Sequence, residues 1–140
     1  MTFALSGYAS LFNLPDAAGD VIAPGAFRRS LAERGGRIRM LFQHDPGQPV
    51  GVWDICQENL KGLYVSGRLI RGVQRGLELG ELIRSQAIDG LSIGFRVIKA
   101  SRDRMSGRRI ITEIDLWEIS IVTFPMLAEA RIERLTPLPA

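Results

Sequence analysis

The stretch Asp89-Gly90-Leu91-Ser92-Ile93-Gly94-Phe95-Arg96-Val97 constrains the fold of this chain more than any other. A turn dipeptide opens onto period-two alternation, with Leu91, Ile93, Phe95 and Val97 on one face and Ser92, Gly94 and Arg96 on the other. That is a β-strand with one face toward a core. Ser92 stands at its mouth, with a bare glycine and an arginine further along the same face. It is a nucleophile with room for a substrate, or a small polar residue on a solvated face, and the strand alone leaves both open.

The remaining elements are predicted from the same periodicities. Thr2 to Asn13 reads as an apolar strand, followed by a loop from Leu14 to Asp20 rich in Pro, Asp and Gly. Pro24 suits the first turn of a helix that runs on through Arg28 to Arg34, with Phe27, Leu31 and Ala26 as its apolar stripe and Gly35-Gly36 as its end. Arg37 to Gln43 alternates as a strand, with Ile38, Met40, Phe42 and His44 on one face. His44 falls at the exit of that strand, before the turn sequence Asp45-Pro46-Gly47.

Two more strands follow, Val50 to Gln57 and Leu60 to Ile70, joined by a hairpin at Glu58-Asn59. Helical spacing then runs from Gly72 to Gln86, burying Val73, Leu77, Leu79, Leu82 and Ile83. After the serine strand, Met105-Ser106-Gly107 is a loop tip. A long strand-like run from Arg109 to Phe124 returns from it, closed by Pro125, which lacks the donor a central strand needs. Leu127 to Leu135 reads as a helix or a strand, and residues 136–140 as a frayed tail. The whole predicts one α+β, mostly β domain over residues 1–135, mainly antiparallel and barrel-like, with two helices against it.

A chain of 140 residues is long enough to bury a full core, and its 46% apolar and 24% charged residues are those of an ordinary globular domain. No apolar run is long enough to span a bilayer, and the N-terminal residues lack the pattern of a secretory signal. The single cysteine, Cys56, has no internal disulfide partner, which fits a reducing compartment. Net charge is only +3 and scattered, apart from the run Arg102 to Arg109, so nucleic-acid binding is weakly supported.

His44 is the only histidine, and imidazole is the side chain suited to proton transfer near neutrality. A strand-end histidine beside a turn is equally an idle surface group. Cys56 lies in a strand and reads as a buried structural thiol rather than a nucleophile. One histidine and one distant cysteine make no metal set, and no cofactor motif is present. Arg96 is a candidate for stabilising an oxyanion. The acidic candidates for orienting His44 lie in Glu113 to Val122, where alternation points Asp115 and Trp117 one way and Glu118 and Ser120 the other. A carboxylate among aliphatic residues is costly without a partner. Both Asp115 and Glu118 stay open on this reading.

Five stretches together resemble the capsid maturation (prohead) proteases of HK97-type tailed bacteriophages, a family also found in prophages and gene transfer particles. They are Gly7 to Asn13, Gly19 to Phe27, Phe42-Gln43-His44-Asp45, Gly90 to Phe95, and Leu116 to Pro125. They occur in the family's order and span nearly the whole chain. The resemblance implies a serine endopeptidase on a closed β-barrel ringed by helices, similar to the herpesvirus assembly proteases. It carries the nucleophile to Ser92 and the base to His44. The third member falls on Glu118, with Asp115 as alternate; herpesvirus enzymes use a second histidine there, and this sequence has none.

Backbone N–H groups near Gly94, with Arg96, are then expected at the oxyanion. The implied partners are the major capsid protein with its scaffold segment and a further copy of the chain itself, through autoprocessing and a dimer or larger oligomer. The implied location is the immature procapsid in the bacterial cytoplasm. The competing expectation is a non-catalytic capsid assembly factor that keeps the fold with Ser92 inert.

Overall fold

The computed structural model describes residues 2–139. Among them the elements run β1 (Thr2–Leu11), β2 (Val21–Ile22), α1 (Arg28–Arg34), β3 (Arg39–Phe42), β4 (Asp45–Glu58), β5 (Gly62–Leu69), α2 (Gln74–Arg84), β6 (Gly90–Arg102), β7 (Arg109–Val122) and β8 (Ile132–Leu138). A short 3₁₀ turn, Gly35–Arg37, follows α1.

Strand β7 is the hub of the sheet. Along one edge it pairs antiparallel with β6 from Gly90↔Val122 to Arg102↔Arg109. Along the other edge it carries two short parallel partners, β2 at Ile110 and Ile111 and β3 from Glu118 to Ile121. The backbone between them would be left without partners on that edge, which is costly when buried. The α1 region closes the gap: Ile114 N–H donates to the Ala26 carbonyl at 3.0 Å, and Leu116 N–H to Ser30 Oγ at 2.7 Å. From β3 the sheet continues antiparallel through β4, β5 and β1 to β8.

Strand pairing leaves this sheet open, where a closed barrel was expected. Its two ends, β6 and β8, approach at one bridge, Gly90↔Arg131, flanked by Leu91 N–H to Ala130 O at 2.9 Å and Ile132 N–H to Asp89 O at 2.8 Å. Past Leu91 the ends separate, because β6 stays paired with β7 while β8 follows β1. The core lies inside the curved sheet and joins Phe3, Leu5, Met40, Val50, Leu63, Val65, Leu91, Ile114, Leu116, Ile119 and Ile121 in one cluster. Each such side chain contributes about 1.5–3 kcal/mol relative to exposure.

Other details depart from the sequence reading. Helix α2 buries Gly76, Leu79, Gly80 and Ile83, while Leu82 is exposed, so the inward stripe is offset from the one expected. A Cβ on Gly80 would sit 2.7 Å from the Phe3 ring, so two glycines, not two leucines, bring this helix close to the sheet. The segment after Leu127 resolves as strand β8. Thr136 and Pro137 extend it against Ala4 and Phe3, where fraying was expected. Pro137 is tolerated because β8 is an edge strand, paired only with β1 among the described residues.

Candidate active site

Register across β6 and β7 sets the base of the site. Ser92 lies opposite Ser120, and Gly94 opposite Glu118. Directly opposed residues share a face, so Ser92, Glu118 and Ser120 rise from one side of this pair. Gly94 leaves space for the carboxylate: a Cβ there would overlap the Glu118 carboxylate, with Cδ only 2.6 Å away. The expectation for Gly94 was an oxyanion N–H, and its evident service here is room for Glu118.

His44 reaches the site from the other edge of β7. Phe42 pairs with Asp45, so Gln43 and His44 are the two central residues of a tight β3–β4 hairpin, with φ of 54° and 60°. Both are in the left-handed region, where side chains are disfavoured and Asn or Gly is usual. The turn therefore starts two residues earlier than Asp45-Pro46-Gly47, which instead bulges out of β4 between the Phe42↔Asp45 and Leu41↔Pro49 pairs. Local turn chemistry persists there, since Gly47 N–H donates to Asp45 Oδ1 at 2.8 Å.

The hairpin is held in this conformation by β7. Gln43 N–H donates to the Ile121 carbonyl at 3.0 Å. The Gln43 amide exchanges two bonds with Thr123, Nε2 donating to Oγ1 at 2.6 Å and Oε1 accepting the Thr123 N–H at 3.2 Å. His44 N–H donates to Ser120 Oγ at 3.0 Å.

These constraints bring His44 Nδ1 to 2.6 Å from Glu118 Oε2. The His44 side chain is 42% exposed and that of Glu118 only 11%. The bond to Glu118 raises the imidazole pKa above its ordinary 6.5; partial burial opposes it and the carboxylate's charge adds to it. Glu118 Oε1 is satisfied separately, by the Ser120 hydroxyl at 2.7 Å. Ser92 is 5% exposed. It exchanges no hydrogen bond with His44 among the described residues, and the two are connected through Ser120, the register partner of one and the backbone acceptor of the other.

Asp115 is engaged elsewhere. Trp117 Nε1–H donates to its Oδ2 at 2.8 Å, and Arg34 grips its Oδ1 through Nε and Nη2 at 3.0 and 2.8 Å. Those bonds, the Trp117 one foremost, hold its carboxyl below the usual range. A bulge lies between the two acids: Gly94 pairs with Glu118 but Phe95 with Leu116, leaving Trp117 without a partner on β6 and returning Asp115 to the face of Glu118, where Arg34 and Trp117 engage it. Arg96 pairs in register with Asp115, and its Nη2 lies 3.9 Å from the Asp115 carboxylate on the far side of that bulge.

Residues 1–138 match the family described as Caudovirus prohead serine protease. The chain belongs to that family.

Two curated relatives agree with this membership. The prohead protease of enterobacteria phage HK97 is 41% identical over 128 residues, 90% of this chain and 57% of its own length. That of Escherichia phage T5 is 28% identical over 123 residues, 86% of this chain and 57% of its own. The chain thus spans a little over half the length of either prohead protease. In fold it is similar to the bacteriophage T4 capsid assembly protease gp21, at TM-score 0.67 and 16% identity over 85% of this chain and 80% of that one. It is also similar to KSHV protease in complex with a hexapeptide phosphonate inhibitor, at TM-score 0.56 and 10% identity over 99% of this chain and 66% of that one.

Against this family background two further features of the site stand out. An apolar pocket adjoins Ser92, walled by Ala9, Leu11, Ile22, Phe95, Met126 and Leu127. The two acids at its rim are occupied, Asp16 by the backbone N–H groups of Ala18 and Asp20, and Asp20 by Arg109. Cys56 lies on β4 with its thiol pushed up to about 12 by burial, which leaves it unreactive near neutrality. Ser120 is the polar site residue to which sequence reading gave no role. Its only signal was a hydroxyl two residues after Glu118 in an otherwise aliphatic run.

Proposed function

We propose that this chain is the catalytic part of a serine endopeptidase that trims the scaffold segment of a phage major capsid protein inside the procapsid, and trims itself. The observation that carries the reading is the 2.6 Å His44 Nδ1–Glu118 Oε2 contact beside Ser92, in a chain of the prohead protease family. Glu118 fixes the tautomer with the proton on Nδ1, leaving Nε2 to take the Ser92 hydroxyl proton. Ser92 Oγ then adds to the peptide carbonyl carbon. The proton passes from Nε2 to the departing amine as the C–N bond breaks, and water repeats the sequence to release the acyl group.

The reading further assigns the oxyanion to backbone N–H groups near Gly94, with Arg96 nearby. It assigns an apolar substrate side chain to the pocket beside Ser92, whose walls are mainly aliphatic and aromatic. Extended substrate is expected along the edge of β6 that faces away from β7 and, past Leu91, has no strand partner among the described residues. Self-association is part of the same proposal.

The test is co-expression with the cognate capsid protein, wild type against Ser92→Ala, read by intact mass. Shortened capsid subunits with the wild type alone support the reading. Cleavage that survives in the variant overturns the assignment of Ser92, and no cleavage with either favours a non-catalytic assembly factor.

A further inference from the structure

We infer that Ser120 is a positioning residue that sets both the place and the proton affinity of His44. This deepens the reading of His44 and Glu118 as base and orienting acid. Ser120 is fully buried in β7, between β6 and β3, and its hydroxyl makes two directed bonds. As acceptor it takes the His44 backbone N–H at 3.0 Å, and as donor it gives its proton to Glu118 Oε1 at 2.7 Å.

A single oxygen thus anchors the two halves of the His44–Glu118 pair by different atoms, the main chain of one and the side chain of the other. The geometry requires such an anchor. His44 sits at φ 60°, a conformation that a non-glycine side chain holds only when its surroundings impose it. Glu118 is nearly buried, and each of its oxygens has one side-chain partner, His44 on Oε2 and Ser120 on Oε1. With Oε1 unbonded, the carboxylate gains by turning toward solvent, and Oε2 leaves Nδ1. Alanine at this position keeps only the Cβ and offers neither bond. Asp115, in contrast, touches neither residue of the pair.

The experiment uses the single histidine as its own probe. The His44 imidazole is titrated by NMR in the inactive Ser92→Ala protein, with and without Ser120→Ala, and with Ser120→Thr, which keeps the hydroxyl. Steady-state cleavage of a capsid-derived peptide is measured for Ser120→Ala and Ser120→Thr on the otherwise wild-type chain. Expected is a His44 midpoint that falls toward 6.5 in Ser120→Ala and faster exchange of the His44 amide. kcat should fall about a hundredfold with KM little changed, as for a misplaced reacting group, and Ser120→Thr should recover part of both effects.

An unchanged midpoint with unchanged kcat overturns the inference. So does a loss of kcat with KM and folding disturbed alike and the midpoint unmoved. Because the titration is made without Ser92, it reports on Ser120 even if Ser92 proves not to be the nucleophile, so the two readings fail separately.

Discussion

At the scale of single residues, the proposed chemistry rests on how one carboxylate holds one imidazole. The folded pKa of His44 is raised by Glu118, so a base that must be neutral loses activity below a midpoint higher than 6.5. The acid limb of kcat/KM should therefore lie above that value in the wild type and move down toward it in Glu118→Gln. Asp115→Asn should leave the limb in place, because that carboxylate is held by Arg34 and Trp117. Stability follows the matching sign. A raised folded pKa gives a contribution fully present below 6.5 and lost as pH rises through the folded value, so the pH-dependent gap between wild type and Glu118→Gln should close on the alkaline side, as denaturant titrations across pH will show. That gap is small, since His44 is nearly half exposed and solvent screens the pair.

At the scale of elements, two departures from regular strand geometry build the site. One is the bulge at Trp117, which brings Asp115 to the same face as Glu118, where Arg34 holds Asp115 while Glu118 lies over Gly94. Gly94→Ala should destabilise by about 1–3 kcal/mol through overpacking. It should also lower the His44 midpoint by displacing the Glu118 carboxylate, measured by thermal melting and by the same NMR titration. A substitution that lowers the melting temperature without moving the midpoint would show that Gly94 serves some other purpose. The second departure is the left-handed hairpin at Gln43-His44.

Neither departure was legible in the sequence. Alternation alone carried Asp115 and Glu118 to opposite faces and left both candidates standing. The Pro and Gly after His44 pointed to a turn that proved to be a bulge in β4, because a hairpin with Gln and His at its centre lacks the usual Asn or Gly signal. The strand that carries Ser92, the helix ending at Arg34 and the hub strand after Arg109 were all readable, since each carries a run of its own period. The helix nonetheless begins at Arg28 and not at Pro24, and the hub strand's period breaks at Trp117. The parallel pairing of β3 with β7 was not, because no local pattern records which distant strand lies alongside.

At the scale of the whole molecule, the floor beneath the site is one packed layer across β3, β4 and β5. Met40 lies opposite Ile119 of β7 and fills the space above two glycines: Cβ atoms on Gly51 and Gly67 would sit 2.6 Å from its Sδ and 2.9 Å from its Cε. Met40→Ala leaves a void that those glycines have no side chains to fill, so a loss of about 2–5 kcal/mol is expected in chemical denaturation. The open ends of the sheet matter far less. Arg131 and Asp89 form a 2.8 Å pair beside the one bridge, but both are well exposed, and Arg131→Ala should cost under about 1 kcal/mol.

The His44 turn has a further consequence, one of timing. It is shaped by Ser120 and Thr123, which lie 76 and 80 positions later than the residues they hold. A ribosome adds roughly 5–20 residues each second. For several seconds of synthesis, then, the N-terminal strands exist with nothing to bend Gln43 and His44 into their left-handed turn. On the proposed reading, a chain built this way is inert while it is being made, and its catalytic edge is set only when the hub strand arrives.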